Sequence, residues 1–240
     1  LLNTIGSDLA TYTAVGFPVG AYYGYICEGI FKSQEEVNKW AKQDNAAPGD
    51  LKFKDLNGDR KIDQNDRTII GKSIPDLLYG INFDCSYKGF DFTVFFQGVQ
   101  GVDIYNQTRV ELLGPKNYQD QNKLAEILNY WSPTNPNSNI PRLDKEDKNN
   151  NRRMSTYFLE NGSFLRVKNI QLGYTLPKSI LEKVNITRTR VYVSASNLYT
   201  ITKYKGYDPE VGSKDPLSAG IDNGFYPIPK VFTAGVQLDF

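Results

Sequence analysis

Histidine is absent from this 240-residue chain, and cysteine occurs only as Cys27 and Cys85. Without histidine, the chain can form no His-ligated zinc site, no Ser-His-Asp triad and no Cys-His pair. The charge has no dominant sign either, because 28 Lys and Arg residues stand against 27 Asp and Glu residues. Nucleic acid attracts clustered basic residues, so we expect no nucleic-acid partner.

Long hydrophobic runs are also missing, since no apolar stretch approaches the roughly 18 residues of a transmembrane helix. Aromatic residues, in contrast, make up 13% of the chain, and 20 Gly and 12 Pro accompany them. Tyr, Phe and Thr favour strands, whereas Gly and Pro favour turns, so the composition predicts an all-β fold. The lack of long apolar runs remains compatible with a membrane location, because a strand of a membrane barrel presents only every second residue to lipid.

Strict alternation of apolar and polar residues predicts antiparallel strands. The clearest case is a hairpin over Gly80–Gln97, in which Lys88-Gly89 forms a two-residue turn with Gly where a positive φ is needed. The same pattern predicts further strands at Ser163–Leu176, Thr189–Asn197, Phe232–Phe240 and Ala21–Phe31.

The strand at Ser163–Leu176 has an ambiguous pattern. Its apolar residues Ile170, Leu172 and Tyr174 fall on the same face as two basic residues, Arg166 and Lys168. Either the strand leaves an apolar layer partway along its length, or a β-bulge reverses the alternation.

The segments between the predicted strands have very unequal lengths. Ser33–Gln43 has a helical pattern, with a serine N-cap and a glutamate three residues later. Residues 106–156 are loop-like, with one short helix near Lys123–Tyr130, and Pro177–Val184 is a short turn. Short turns that alternate with long loops are typical of outer-membrane barrels and unusual in a compact soluble domain. Alternation alone also fits a soluble β-sandwich.

The last predicted strand carries a second pattern. Thr233, Gly235, Leu238 and Phe240 are spaced as polar-x-Gly-x-x-apolar-x-aromatic. This spacing resembles the C-terminal signal by which the barrel assembly machinery recognises bacterial outer-membrane proteins. In a soluble protein, a terminal strand with an exposed aromatic end would form an aggregation-prone edge.

An acidic loop carries the strongest chemical motif. Oxygen donors occupy positions 1, 3, 5, 7, 9 and 12 of a calcium-binding loop of the EF-hand type, at Asp55, Asn57, Asp59, Lys61 (through its backbone carbonyl), Asp63 and Asp66. Two residues depart from this pattern, because Arg60 replaces the usual glycine at position 6 and Asp66 is shorter than the usual glutamate. Calcium held here would be structural. The alternative is a loop built from Asx-turns without metal.

Several further blocks resemble the SusC/RagA group of TonB-dependent transporters, and together they cover nearly the whole chain. They include Gly20–Gly24, Glu28–Phe31, Gly49–Asp59, Asp66–Thr68, Phe95–Gly98, Tyr130–Pro133, Ile140–Arg142, Ser163–Arg166, Leu172–Pro177, Tyr207–Glu210 and Tyr226-Pro227. The resemblance implies that residues 1–240 are the C-terminal part of a large transmembrane β-barrel domain. Its loops would be extracellular, with short helices, and its short turns periplasmic. The resemblance also implies that the plug and the TonB box lie N-terminal to this region. The six to eight strands predicted here are too few for a complete barrel of this kind, so we expect further strands outside residues 1–240.

The resemblance also implies a function and partners. The function would be TonB-dependent uptake of oligosaccharides or peptides across the bacterial outer membrane. A SusD-like surface lipoprotein would cap the barrel, and the TonB complex would supply energy through the plug. Outer-membrane lipid and the barrel assembly machinery are the other expected partners, and no catalytic residue is implied.

Two other classes of protein remain as alternatives. The first is a soluble, calcium-stabilised β-sandwich that binds carbohydrate. The second is an outer-membrane enzyme that acts on lipid or glycan. In a chain without histidine, such an enzyme depends on carboxylate pairs, for which Asp59 and Asp63 are the candidates.

Overall fold

Antiparallel strands dominate the computed structural model, which describes residues 2–5, 8–114, 122–181, 186–213 and 215–240. Every pairing between strands in these residues is antiparallel, which confirms the predicted mostly-β, antiparallel class. The strands are β1 Leu2–Ile5, β2 Asp8–Tyr12, β3 Ala21–Gly24, β4 Cys27–Ile30, β5 Leu51–Phe53, β6 Thr68–Gly71, β7 Leu77–Tyr87, β8 Phe90–Gln100, β9 Asp103–Tyr105, β10 Leu159–Asn161, β11 Phe164–Thr175, β12 Arg188–Thr202 and β13 Val231–Asp239.

Helices are few and short. They are α1 Gln34–Lys39, α2 Gln107–Leu113 and α3 Lys178–Leu181, with 3₁₀ turns at Gln64–Asp66, Ala125–Asn129, Thr156–Phe158 and Pro216–Ser218. Among the described residues, none of these helices has the length and apolar character needed to cross a membrane.

The chain divides into two units. The sheet unit comprises Pro75–Val102, Gly162–Pro209 and Tyr226–Phe240. The loop unit comprises Leu1–Ile74, Asp103–Asn161 and Glu210–Phe225.

The sheet unit is one five-stranded antiparallel sheet, in the order β13-β12-β11-β8-β7. The predicted hairpin is confirmed and extends to Leu77 and Gln100. In its two-residue turn Lys88 has a φ of 46° and Gly89 a φ of 86°, as expected for a turn whose twist matches the strands.

Connections at the two ends of this sheet differ in length. At one end, β7 and β8 are joined by two residues and β11 and β12 by residues 176–187. At the other end, β8 and β11 are joined through residues 101–163, and β12 and β13 through residues 203–230. The predicted asymmetry between short turns and long loops is therefore present in the described strands.

A β-bulge resolves the ambiguity in β11. The register with both neighbouring strands shifts between Val167 and Asn169. On β12, Asn197 lies within the shift and adopts a left-handed φ of 54°. The extra residue reverses the alternation, so that Arg166 points away from the face that carries Ile170 and Leu172.

The loop unit contains the larger hydrophobic core. One cluster is formed by Tyr22, Tyr105, Val110, Met154, Phe158 and Ile221. A second cluster is formed by Tyr25, Leu51 and Phe53. The strands of this unit are short and form a four-stranded sheet, β1-β2-β3-β6, and two two-stranded sheets, β9-β10 and β4-β5.

Several element predictions need correction. The described residues hold thirteen strands rather than six to eight, because the loop unit contains short strands that lack clear alternation. Ala21–Phe31 forms two strands, since β3 pairs with β6 whereas β4 pairs with β5. Helix α2 within residues 106–156 was not predicted, and Ala125–Asn129 is a 3₁₀ turn.

Helix α1 begins as predicted, because the Ser33 side chain accepts a hydrogen bond from the backbone N–H of Glu36. It ends at Lys39 rather than near Gln43, since Trp40 is extended. The predicted turn Pro177–Val184 contains α3, and its residues 182–184 lie outside the described residues.

Candidate functional site

One face of the five-stranded sheet is apolar on every strand, and we call it the apolar face. Its side chains form three cross-strand rows. The rows are Phe83-Val94-Ile170-Ala195-Phe232, Cys85-Phe92-Leu172-Val193-Ala234 and Tyr87-Phe90-Tyr174-Val191-Val236.

Large side chains of the apolar face are exposed. Phe83 retains 54% of its accessible surface, and Phe232 retains 71%. A soluble monomer rarely exposes a continuous apolar area of this extent. A membrane barrel presents such a face to lipid.

The opposite face of the same sheet is polar, and we call it the polar face. Two of its cross-strand rows are Ser86-Asp91-Gly173-Tyr192-Gly235 and Asp84-Thr93-Gln171-Ser194-Thr233. The side chain of Arg190 donates from Nε to Asp91 Oδ1 over 2.9 Å, and Arg166 pairs with Asp208 at 2.5 Å. Arg190, Asp91 and Arg166 therefore all lie on the polar face.

The residues of the predicted assembly signal divide between the two faces of β13. Thr233 pairs with Ser194 on the polar face, whereas Leu238 lies on the apolar side and Phe240 is 88% exposed. Glycine at position 235 is also explained by local packing, because a Cβ there would lie 2.5 Å from the ring of Tyr192. The role of the four residues as a signal stays a prediction.

The acidic loop folds around backbone donors. Asp55 accepts hydrogen bonds from the N–H groups of Gly58 and Arg60, at 2.7 and 2.8 Å. Asp59 accepts one from the N–H of Lys61 at 2.8 Å, and Asn57 one from the N–H of Asp59 at 3.0 Å. These are the Asx-turns of the metal-free alternative.

The second half of the loop is held by a capping box. Asp63 accepts from Asn65 N–H, and the fully buried Asp66 accepts from the N–H groups of Leu56 and Asp63, each at 2.8 Å. Arg60 adopts the left-handed conformation, with φ at 64°, at the position where glycine is usual.

Whether the donor set fits calcium depends on how closely its carboxylates gather. In the described part of the chain, which includes the whole loop, no three Asp, Glu, Cys or His side chains are gathered as for a metal ion. The residues have suitable oxygen chemistry, but calcium at this loop stays a prediction.

A buried polar network in the loop unit was not predicted. Asp50 is fully buried and forms a two-point ion pair with Arg142, at 2.9 and 3.1 Å. Asn151 donates to Asp50 over 3.0 Å and accepts from the N–H of Leu51 over 2.8 Å. The network joins two segments about 100 residues apart, and no local spacing in the sequence could reveal it.

Amide side chains complete the network along the strand β5. Gln43 Nε2 donates to the carbonyl of Leu51 at 2.7 Å, and its Oε1 accepts from Phe53 N–H at 3.1 Å. Asn149 also accepts from Gln43, at 2.6 Å. Because β5 pairs with β4 alone, these side chains satisfy backbone groups that a further strand would otherwise satisfy.

Comparison with known proteins identifies TonB-dependent receptors as relatives of this chain. The chain is 36% identical over 232 residues to the TonB-dependent receptor P3 of Formosa agariphila, which covers 94% of this chain and 22% of that protein. It is 32% identical over 220 residues to the TonB-dependent receptor SusC of Bacteroides thetaiotaomicron, covering 90% of this chain and 20% of SusC. No family model matches the sequence.

The fold matches a solved transporter. The structure of the RagAB peptide transporter superposes with a TM-score of 0.78 and 28% identity, over 100% of this chain and 24% of that one. The chain spans about a fifth to a quarter of the length of the proteins it matches.

Sheet, loops and relatives agree that this chain is homologous to a segment of TonB-dependent receptors. More particularly, the chain is homologous to receptors of the SusC/RagA group, as its motifs predicted. These relatives are receptors and transporters rather than enzymes, and the soluble β-sandwich is not favoured.

Proposed function

We propose that the sheet unit is part of the wall of an outer-membrane β-barrel. The observation that carries this proposal is the apolar face, whose three rows of apolar side chains cross five adjacent strands, while Asp91, Arg166 and Arg190 lie on the opposite face. Water on both sides would leave this face without any partner, whereas hydrocarbon on one side stabilises it by removing apolar surface from water. Closure of the barrel requires strands beyond this sheet, as the size of the relatives suggests.

The whole protein would act in energised uptake. The relatives, a TonB-dependent receptor and a peptide transporter, support TonB-dependent import across the outer membrane. The solutes would be oligosaccharides or peptides. A SusD-like lipoprotein would cap the barrel on the side of the long connections, and the TonB complex would act through a plug N-terminal to residues 1–240. The short turns would then face the periplasm.

Neighbouring side chains on β7 allow a matched test of the membrane-facing surface. Cys85 lies on the apolar face, and Ser86 lies on the polar face. In the full-length protein in lipid nanodiscs, with Cys27 replaced by Ala, a fluorophore would be attached either to Cys85 or to Ser86→Cys in a Cys85→Ala background. Brominated lipid tails should quench the label at 85 strongly and the label at 86 weakly. Equal quenching at both positions would contradict the proposal.

A partner experiment tests the proposed assembly. Purification of the full-length receptor from its native outer membrane should recover a surface lipoprotein in a stoichiometric complex. Recovery of the receptor alone under mild detergent conditions would count against the lipoprotein cap but not against the barrel wall.

A further inference from the structure

A groove lies on the apolar face, near the end of the sheet that carries the short turns. Its volume is about 550 Å³. Ligand cavities in proteins usually measure about 300–1,000 Å³, so the groove has room for an extended apolar group. The side chains of β8 and β11 that border it are longer than those of β12 and β13. The bordering residues include Phe90, Leu172, Tyr174, Val191, Val193 and Ala234.

Aromatic rings mark the end of this groove. The ring centroids of Phe90 and Tyr174 are 4.5 Å apart. The ring of Tyr174 also reaches the turn, since a Cβ on Gly89 would lie 3.1 Å from its Cε2 atom. Tyr87 pairs with Phe90 in the same row and is largely exposed. Because aromatic rings of membrane barrels gather at the level of the lipid headgroups, this row would lie where hydrocarbon meets the headgroup layer.

A cation lies beside these rings. The Nζ atom of Lys88 is 5.2 Å from the ring centroid of Tyr87. Within the part of the chain that the structure describes, the Lys88 ammonium forms no ion pair. The hydroxyl groups of Tyr87 and Tyr174 form no hydrogen bond to any described residue. One ammonium and two hydroxyl groups are therefore available to donate to an oxyanion.

Acidic side chains on these strands lie on the other side of the sheet. They are Asp84, Asp91 and Asp239, and the strand registers place all three on the polar face. Two of them are paired, Asp91 with Arg190 and Asp239 with Arg188. No acidic residue lines the groove itself. The ammonium beside the groove is thus complementary to a ligand that carries a negative charge at one end of an apolar chain.

We propose that the groove binds an anionic phospholipid, with an acyl chain in the groove and the phosphate at Lys88, Tyr87 and Tyr174. The chain would gain van der Waals contacts with the groove, and the phosphate would accept a charge-assisted hydrogen bond from the ammonium. A zwitterionic headgroup would bring a second ammonium close to Lys88, and the two would repel each other. The proposal rests on the barrel wall proposed above, which places the apolar face in lipid, and it assigns one position on that wall to one class of lipid.

Native mass spectrometry of the full-length receptor, released from detergent micelles that contain added lipid, tests the site. Phosphatidylglycerol should bind more tightly than phosphatidylethanolamine with the same acyl chains. Lys88→Gln should weaken phosphatidylglycerol binding about fivefold, the effect of one basic residue at an anionic membrane surface. Lys230 provides a matched control, because it is an exposed cation at the other end of the sheet, one residue before β13. Lys230→Gln should bind phosphatidylglycerol like the parent protein.

A second pair of variants tests the groove. Ala234→Phe places a ring in the groove and should also weaken phosphatidylglycerol binding severalfold. Ile81→Phe enlarges a side chain of the apolar face outside the groove and should leave binding unchanged. Glycerophosphoglycerol, which is the headgroup without acyl chains, should not compete with the lipid.

Three results would overturn the proposal. They are equal binding of the two lipids, competition by glycerophosphoglycerol, and unchanged binding in a Lys88→Gln or Ala234→Phe variant that is folded by circular dichroism. The label at Cys85 described above separates this failure from a failure of the barrel wall. If brominated lipid quenches that label while the two lipids bind equally, the lipid site is wrong and the wall stands. If quenching is also equal at positions 85 and 86, the wall on which the site rests is wrong as well.

Discussion

Arg190 on β12 and Asp91 on β8 form an ion pair across the intervening strand β11, directly above Gly173. Arg190 donates to Asp91 through Nε and through Nη2, so the ion pair is bidentate. The two residues are 99 positions apart, and the missing side chain of Gly173 provides the space in which they meet.

Gly173→Ala should destabilise the sheet. The added Cβ would lie 2.5 Å from Arg190 Nη2 and 2.6 Å from Asp91 Oδ1, so the two side chains must move and the ion pair is weakened. We expect a loss of about 1 kcal/mol in the free energy of unfolding, the scale of a partly exposed ion pair, because the side chains can shift without moving the strands. Urea unfolding of the refolded receptor measures this loss. Gly212→Ala, where a Cβ meets nothing within 4 Å, should have little effect, and equal losses in both variants would refute the argument.

Asp50→Asn should loosen the loop unit. The substitution preserves the shape but leaves the guanidinium of Arg142 without its buried carboxylate. Breaking such a pair costs about 3–5 kcal/mol when it is fully buried, and we expect about 2 kcal/mol here because Arg142 is 27% exposed. Hydrogen exchange at β5 should accelerate accordingly. The exposed pair of Lys148 with Glu146 provides the control, and Glu146→Gln should leave exchange unchanged.

Stability near α1 should depend on pH through Glu36. Burial alone would raise the pKa of Glu36, but the backbone N–H of Lys32 and the ammonium of Lys52 outweigh it and hold that pKa below its ordinary value. A carboxyl group with a lowered pKa contributes stability above its ordinary pKa and loses it as the pH falls through the folded-state pKa. Local stability should therefore decrease between about pH 5 and pH 3.

Amide hydrogen exchange of α1, corrected for the intrinsic rate, measures this dependence. Glu36→Gln should flatten the pH profile, whereas Glu35→Gln should retain it, because Glu35 is 74% exposed and its ion pair is with Lys39, one helical turn away and 75% exposed. A profile that keeps its slope in Glu36→Gln would assign the dependence to another group.

Phe240→Ala should reduce the amount of receptor in the outer membrane severalfold. The reason is that Phe240 supplies the aromatic end of the predicted assembly signal, with Thr233, Gly235 and Leu238. Membrane fractionation and blotting measure it. Phe232→Ala removes an equally large, exposed ring from the same strand and should have a weaker effect. If both variants reach the membrane equally, the signal hypothesis fails.

Calcium should bind the acidic loop with one site per chain. Asp55 and Asp59 present carboxylate oxygens on consecutive Asx-turns, and calcium prefers such oxygen ligands. Titration calorimetry should detect binding in the parent protein and none in the double variant Asp55→Asn, Asp59→Asn. Asp44→Asn, which alters an exposed carboxylate outside the loop, should bind normally. If calcium produces no heat in the parent protein, the calcium hypothesis is wrong, and the loop is a metal-free structure held by its Asx-turns.

The sequence identified the parts of the fold that depend on neighbouring residues. Alternation of side chains is a property of the extended backbone, so the hairpin, its Lys88-Gly89 turn and the terminal strand could be predicted. The Ser33 cap of α1 was found for the same reason, because a cap and its donor lie three residues apart. The order of the motifs along the chain also indicated the correct group of receptors.

Tertiary structure alone decided which distant residues meet. The bulge at Val167 and Asn169 determines the face on which Arg166 lies, and it depends on pairing with two other strands. The ion pairs of Asp50 with Arg142 and of Asp91 with Arg190 join segments separated by tens of residues. Such contacts follow from the path of the whole chain and from the exclusion of water between its segments, so local sequence patterns do not encode them in a readable form.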